Sequence, residues 1–264
     1  DTPEMADAGL RLANLLVEQG RAGEARDMFS ALVETHPGNG YLKFILARIY
    51  GSSQSPDKAA YYYRLAINDN PELVEGYKKL AALQMDSQEK LTIFREGIEK
   101  VPESDELKIA LANFYFDADD LDSAIDQMNK FHLTGSPSPA VENNLAWLYL
   151  EKGTNLAKAY ELAVRAYDSD PDNAYYAHTL GWAYHQKGIS NQAEWYLSEA
   201  IRLFDEHPEI DPGNQYAKGI FSYHLALALM ETDQDEEARE KLLFAVSSGL
   251  PAKYDTHARE ILEK

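Results

Sequence analysis

Apolar residues recur every three or four positions along almost the whole chain, which is the spacing of a helix buried on one side and not the alternation of a β-strand. The stretch 173–208 shows the pattern most clearly, because Leu180 lies on one predicted helix, Gly188 opens a turn and Leu197 lies on the next helix. A small residue such as Gly181 leaves room for two helix backbones to cross closely. The stretch therefore predicts a helix-turn-helix unit.

The same spacing returns with a nearly constant period of about 34 residues. The first leucine of the pattern is found at Leu12, Leu46, Leu80, Leu111, Leu145, Leu180 and Leu225. We therefore predict seven helix pairs, at about 6–39, 40–73, 74–104, 105–138, 139–173, 174–207 and 219–251. The amphipathic segment 252–264 is expected to cap the last pair, or to be the first helix of a further repeat.

Proline marks the predicted helix ends. Pro37 and Pro71 follow second helices, where proline stops a helix, and Pro56 lies in the first turn of a helix, where it is tolerated. The predicted helices run over about 4–18, 22–35, 40–51, 56–68, 72–85, 87–100, 104–117, 120–132, 138–152, 155–168, 173–187, 190–206, 214–231, 234–247 and 252–263.

The order of leucine, small residue and tyrosine in the first helix, with alanines in the second, resembles the tetratricopeptide repeat. In the sixth unit the resemblance is carried by Leu180, Gly181, Tyr184, Ala193 and Ala200. It implies an all-α fold, a right-handed superhelical solenoid of about seven helix-turn-helix repeats with a C-terminal capping helix. Because each repeat buries its apolar face against its neighbours, we expect one solenoid domain over 1–264.

Charge narrows the classes of partner. The chain has 44 acidic and 25 basic residues, a formal net charge of −19. Such a surface repels phosphate groups, so we expect no binding of nucleic acid, whereas a basic partner is permitted. No apolar run reaches the roughly 20 residues of a membrane span, and nothing at the start resembles a signal peptide. We expect a fragment or a mature form, and the compartment stays open between the cytoplasm and the bacterial periplasm or cell envelope, which is slightly favoured.

Catalytic motifs are missing from the sequence. There is no phosphate-binding glycine loop, no G-x-G-x-x-G after a strand, no H-E-x-x-H and no G-x-S-x-G. The chain has no cysteine, which excludes disulfides and cysteine-based zinc sites. His178 and His185 share a helix face but lie about 10 Å apart by helix rise, too far for one metal ion. We therefore predict a protein that is not an enzyme and that has no cofactor and no metal.

The predicted binding surface follows from the resemblance, which implies that the first helix of each repeat lines the concave face of the solenoid. The positions that reach this face are rich in aromatic residues, and contiguous exposed apolar surface usually marks a partner site. The predicted groove residues are Tyr41, Phe44, Arg48, Ile109, Asn113, Phe116, Asn143, Trp147, Tyr175, His178, Trp182, His185 and Tyr223.

The sequence thus predicts a non-catalytic scaffold that binds a protein or peptide segment in a concave aromatic groove, such as an adaptor in a bacterial envelope, secretion or polysaccharide-export assembly. Two alternatives stay open: a structural solenoid that self-assembles as a homo-oligomer, and the adaptor region of a larger membrane-tethered protein. The fold alone implies only that the chain binds protein.

Three local expectations complete the analysis. The set of lysine, asparagine and arginine with which tetratricopeptide proteins hold a C-terminal carboxylate is not matched, because only Asn14 and Asn113 have the suitable type. The insertion 205–219 is expected to be a surface loop, or part of a binding face. Trp195, on a second helix, is expected to fill a gap between neighbouring repeats.

Overall fold

The computed structural model describes residues 3–134, 138–206 and 215–263, and these residues form helices joined by short turns. The helices are α1 (Pro3–Glu18), α2 (Ala22–Thr35), α3 (Gly40–Ser52), α4 (Pro56–Asp69), α5 (Val74–Leu83), α6 (Ser87–Lys100), α7 (Asp105–Asp117), α8 (Leu121–Thr134), α9 (Pro139–Lys152), α10 (Leu156–Ser169), α11 (Ala174–Gln186), α12 (Ser190–Glu206), α13 (Gln215–Met230), α14 (Asp235–Ser247) and α15 (Ala252–Leu262). Odd-numbered helices are the first helices of the predicted pairs, and even-numbered helices are the second.

Polar side chains fix where several helices begin. The Asn39 side chain accepts a hydrogen bond from the backbone N–H of Leu42 at 3.1 Å and so caps α3. Asp86 caps α6 in the same way, with 2.8 Å to the N–H of Glu89. Gly153 ends α9 with a φ of 68°, in the left-handed region that favours glycine. These local signals fix one end of each of three helices, α3, α6 and α9.

The chain divides into two compact units, Asp1–Ala118 and Asp119–Lys264, which we call unit 1 and unit 2. The division lies between α7 and α8, inside the predicted repeat 105–138. A single domain over 1–264 stays a prediction. Most of the predicted insertion 205–219 lies outside the described residues, since α12 ends at Glu206 and the description resumes at Gln215.

In unit 1, each helix packs against the next, and first helices also pack against each other, as α1 does on α3 and α5 on α7. Small residues occupy the crossings. A Cβ on Gly97 of α6 would lie 2.9 Å from the Tyr77 ring of α5, so only glycine fits this contact. The core is apolar, with Phe29, Ile45 and Leu107 almost fully buried.

Unit 2 repeats this arrangement from α8 to α15, and α9 also packs on α11. At the crossing of α11 and α12, a Cβ on Gly181 would lie 2.8 Å from the Leu197 side chain and 2.9 Å from its backbone nitrogen. The last helix, α15, packs on α14 and α13 and buries Tyr254 and Ala258. It covers the end of the last helix pair, as the apolar stripe in 252–264 predicts.

Candidate functional site

The predicted groove residues lie on first helices, but they differ in exposure. Ile109, Phe116, Trp147, Tyr175, His185, Tyr41 and Arg48 are half-buried, and Asn113 is exposed. The buried members are Phe44 at 7% exposure, Asn143 at 7%, His178 at 3%, Trp182 at 8% and Tyr223 at 5%. In this conformation the buried members serve packing within their own unit, so their role toward a partner stays a prediction.

Unit 1 holds an open cleft of about 580 Å³ between its first helices, lined by side chains of α1, α3 and α5 and by Tyr63 of α4. We call it the unit 1 cleft; the residues used below are Asn14, Val17, Glu18, Arg48, Tyr63, Lys79 and Leu83. The predicted groove residue Phe44 packs behind it, with its ring centroid 5.5 Å from that of Tyr63. The lining of the cleft therefore combines apolar side chains with polar and charged ones.

Two cations project into this cleft of an otherwise acidic chain. Arg48 donates to the Asn14 side-chain oxygen at 3.4 Å, and Lys79 lies 3.3 Å from a carboxylate oxygen of Glu75. Both of these contacts are at the surface, where such pairs contribute little and exchange readily. Burial raises the pKa of Tyr63 to about 12, so its hydroxyl stays protonated at neutral pH. The cleft can therefore offer two positive charges and one phenol to an occupant, alongside the carboxylate of Glu18.

Unit 2 presents a different surface, in which the corresponding face is filled by its own side chains. Aromatic and histidine rings from α9, α11, α13 and α15 stack into one assembly that we call the inner cluster, made of Trp147, His178, Trp182, His185, Tyr223, His224 and Tyr254. The Trp182 ring stacks on the His224 ring with centroids 3.9 Å apart, and the Trp147 ring lies 5.3 Å from His178. Unit 2 thus brings the predicted groove residues Trp147, His178, Trp182, His185 and Tyr223 together, but their rings cover one another.

Two buried histidines lie at the centre of the inner cluster. Nε2 of His178 and Nδ1 of His224 are 2.9 Å apart, so one ring donates a hydrogen bond and the other accepts it. Burial lowers the pKa of His178 to about 3. Burial, together with the neighbouring His178, His185 and Lys253 charges, lowers the pKa of His224 well below its usual value. Both rings are therefore neutral at physiological pH.

Other polar atoms of the inner cluster have no hydrogen-bond partner in the described part of the chain. They are Nε2 of His224 and Nε1 of Trp182, together with Nδ1 of His185. The His185 nitrogen lies 3.4 Å from a Glu231 carboxylate oxygen, and burial lowers the pKa of His185 while Glu231 opposes this shift. Buried polar atoms without partners are uncommon in folded proteins and point to a functional role or to a missing partner.

A carboxylate at the edge of the inner cluster ties the two ends of unit 2 together. The Glu151 side chain of α9 is only 4% exposed, and it accepts a hydrogen bond from the Tyr254 hydroxyl of α15 at 2.5 Å. Lys253 pairs with the same oxygen. A second contact joins the Tyr223 hydroxyl to His257 Nδ1 at 2.6 Å. Burial and the Glu151 charge raise the pKa of Tyr223 to about 12 and raise that of Tyr254 further.

Sequence reasoning missed the residues that depend on long-range packing. Glu151 and Lys253 are separated by 102 positions, and no local pattern links them. Lys79 lies on the predicted first helix of the third repeat. Its position at the cleft depends on how α5 packs against the preceding helix. Trp195 is 55% exposed, so the expectation that it fills a gap between repeats is wrong. Its ring meets Tyr196 edge-on and otherwise lies open to solvent on α12.

Neither a metal-binding cluster of side chains nor a membrane-spanning helix is found among the described residues. No group of three or more histidine, cysteine, aspartate or glutamate side chains there could hold a metal ion. None of the described helices is both long and apolar enough to span a bilayer.

Comparisons with known proteins agree with this architecture. The family model for the tetratricopeptide repeat matches residues 10–72. A TPR repeat-containing protein of Pseudomonas aeruginosa is 24% identical over 207 residues, which are 76% of this chain and 34% of that protein. The chain therefore spans about a third of the length of this curated relative.

Solved structures share the fold at low sequence identity. A tetratricopeptide repeat protein from Parabacteroides merdae superposes with a TM-score of 0.62 at 13% identity, over 99% of this chain and 100% of that chain. The Cut9–Hcn1 hetero-tetramer of APC/C gives 0.64 at 14% identity, over 94% of this chain and 47% of that chain. These similarities confirm the predicted fold class, an all-α fold of tetratricopeptide type.

Proposed function

Because the chain is a tetratricopeptide repeat protein, we propose that it is a non-catalytic scaffold that binds a segment of a partner protein in the unit 1 cleft. The tetratricopeptide fold in general serves protein–protein interaction. The specific proposal is supported by one observation, the open cleft of about 580 Å³ on the first helices of the first three repeats. Concave, partly apolar clefts with a few polar groups are where proteins bind segments and small molecules.

The charges of the cleft indicate the chemistry of its occupant. The chain carries a net charge of −19, yet the lining of the unit 1 cleft includes two cations, Arg48 and Lys79, against one carboxylate, that of Glu18. Arginine binds carboxylates with a planar pair of N–H donors. The side chains of Val17 and Leu83 supply apolar surface beside these cations. We therefore propose an extended segment that carries a carboxylate next to apolar residues.

Two synthetic peptide pools test this proposal: short apolar peptides with one central glutamate, and the same peptides with glutamine in its place. We expect the full chain to bind the glutamate pool more tightly by about fivefold to tenfold, because the carboxylate pairs with both cations. Fluorescence anisotropy measures the difference. The double variant Arg48→Ala with Lys79→Ala removes the difference between the pools.

A matched control separates this site from the overall charge. Arg95→Ala with Lys100→Ala changes the net charge by the same amount on exposed positions of α6, outside the cleft. This variant keeps the preference for glutamate. Equal binding of both pools to the unmodified chain, or an unchanged preference in the cleft variant, refutes the proposal.

A second candidate is that the chain is the adaptor region of a longer protein. The Pseudomonas aeruginosa relative, of which the aligned region covers 34%, favours this possibility. In that case the unit 1 cleft would recruit the partner on which the rest of the protein acts. Extraction from the source cells followed by mass measurement of the intact protein tests it; an intact mass close to 29.7 kDa argues against it.

A further inference from the structure

Side chains of the last helix, α15, lie on the face of unit 2 that the inner cluster forms. Lys253 and Tyr254 both engage Glu151, and the Tyr254 ring lies 5.6 Å from the His224 ring. His257 completes the set by its contact with Tyr223. We propose that this face is a helix-binding site that α15 fills in cis, and that an amphipathic partner helix with adjacent basic and aromatic residues binds there in its place.

Charge complementarity defines what the site accepts. The Glu151 side chain is almost fully buried, and its polar partners in the described part of the chain, Lys253 and Tyr254, belong to α15. A buried carboxylate that loses its cation is strongly destabilising, so any occupant must bring a positive charge. The aromatic wall of Trp147, Trp182 and His224 beside it favours a flat ring next to that charge. Lysine followed by tyrosine is the pair that α15 itself presents.

With α15 in place, two polar groups of the aromatic wall have no hydrogen-bond partner in the described structure. Nε1 of Trp182 and Nε2 of His224 are buried without a partner in the described structure, although the Tyr254 ring lies directly beside His224. An occupant with a suitably placed polar side chain would satisfy them and bind more tightly than α15 does. This gives a partner helix an advantage over the cis helix.

A cleft of about 360 Å³ lies beside the contact of α15 with α14 and is lined by Met230, Leu242, Ile261 and Leu262. Ile261 and Leu262 also pack against the core cluster that contains Leu242. The connection from α14 consists of 248–251 and includes Gly249 in the left-handed region, with a φ of 78°. The proposal requires that α15 leaves by movement about this connection while α9, α11 and α13 stay stacked. This proposal shares with the proposed function only the premise that the chain binds protein segments.

A labelled peptide with the sequence of residues 250–264 serves as the probe, added to the full chain. The unmodified chain should bind it weakly, because the tethered α15 competes at a high effective concentration. In the variant Lys253→Glu the cis helix loses its cation and meets Glu151 with a like charge, so we expect binding to become about tenfold tighter. The milder variant Tyr254→Phe removes only a hydroxyl and should show a smaller gain in the same direction.

Matched controls locate the binding. Lys241→Glu makes the same charge change on α14, away from Glu151, and should bind the peptide as the unmodified chain does. Adding Glu151→Gln to Lys253→Glu should abolish the gain, and a probe that carries Lys253→Glu but keeps Lys264 should not bind at this site. Circular dichroism confirms that each variant keeps its helices. The probe also carries carboxylates beside apolar residues, so the unit 1 cleft could bind it as well. The gain from Lys253→Glu should therefore persist when it is measured in a chain that also carries Arg48→Ala and Lys79→Ala, which separates this site from the unit 1 cleft.

Two results overturn the proposal. One is equal peptide affinity for the unmodified chain, Lys253→Glu and Tyr254→Phe. The other is a concentration-dependent dimer of the unmodified chain that the peptide dissociates, because the site would then exchange α15 between two copies instead of receiving a partner helix. Sedimentation velocity at several protein concentrations distinguishes this second outcome.

Discussion

At the centre of unit 2, two histidines share one hydrogen bond in surroundings that exclude their charged forms. A hydrogen bond of 2.9 Å joins His178 and His224, and among the described residues no carboxylate is hydrogen-bonded to either ring. Ionic groups at the edges of the cluster include Glu151 with Lys253, and Glu231 beside His185. Protonation of either central ring would bury an uncompensated charge, so both histidines stabilise the fold only in their neutral forms.

This arrangement predicts that unit 2 loses stability in mild acid. An unfolded histidine takes up a proton near its usual pKa of about 6.5, whereas folded His178 does so only near a pKa of about 3. The unfolded state therefore binds more protons as the pH falls between these values. We expect the free energy of unfolding to drop by about 1.4 kcal/mol per pH unit for His178 in this window. Urea unfolding at about pH 7 and about pH 5 measures the slope.

Variants isolate this contribution from the other acid-sensitive groups. His178→Gln cannot titrate but keeps a side chain that hydrogen-bonds, so its stability should fall less steeply with pH. His36→Gln, at an exposed position, should keep the slope of the unmodified chain. An identical slope in the His178 variant would show that burial of this ring does not govern the acid response.

At the level of helices, the pattern of apolar residues was sufficient to predict the architecture. Every predicted helix end lies within about two residues of the observed one. Local signals explain this accuracy: Pro56 begins α4, Asn39 caps α3 and Gly153 ends α9. The exposure of individual side chains could not be predicted in the same way. Trp182 and Arg48 both lie on first helices, but tertiary packing buries Trp182 and leaves Arg48 at the unit 1 cleft.

The crossing of α11 and α12 predicts the effect of a single methyl group. Gly181→Ala would place a Cβ 2.8 Å from the Leu197 side chain and 2.9 Å from its backbone nitrogen. Since the backbone must move, we expect a loss of about 1–3 kcal/mol in the free energy of unfolding, against the gain in helix propensity that alanine normally brings. Gly23→Ala is the matched control, because nothing lies within 4 Å of its added Cβ. Thermal unfolding compares the two, and equal midpoints would contradict the close crossing.

At the scale of the whole chain, the same repeat forms an open surface in unit 1 and a filled surface in unit 2. Unit 1 keeps a cleft open between its first helices, whereas unit 2 fills the corresponding face with rings and a buried carboxylate. The sequence predicts one aromatic groove over both units. The periodicity shows which side of each first helix faces its neighbours, but it does not show how closely the side chains of neighbouring helices approach each other. The contact of Glu151 with Lys253, across 102 positions, arises from the stacking of successive pairs and has no local signal.

The most direct test of the account is to map where a glutamate-containing apolar peptide binds, by NMR titration of the full chain labelled with ¹⁵N. We predict that the largest chemical-shift changes fall on α1, α3 and α5, around Asn14, Arg48 and Lys79, and that the indole N–H signals of Trp147 and Trp182 stay unchanged. Changes confined to the inner cluster of unit 2, or to the second helices of unit 1, would contradict the assignment of the cleft as the partner-binding site.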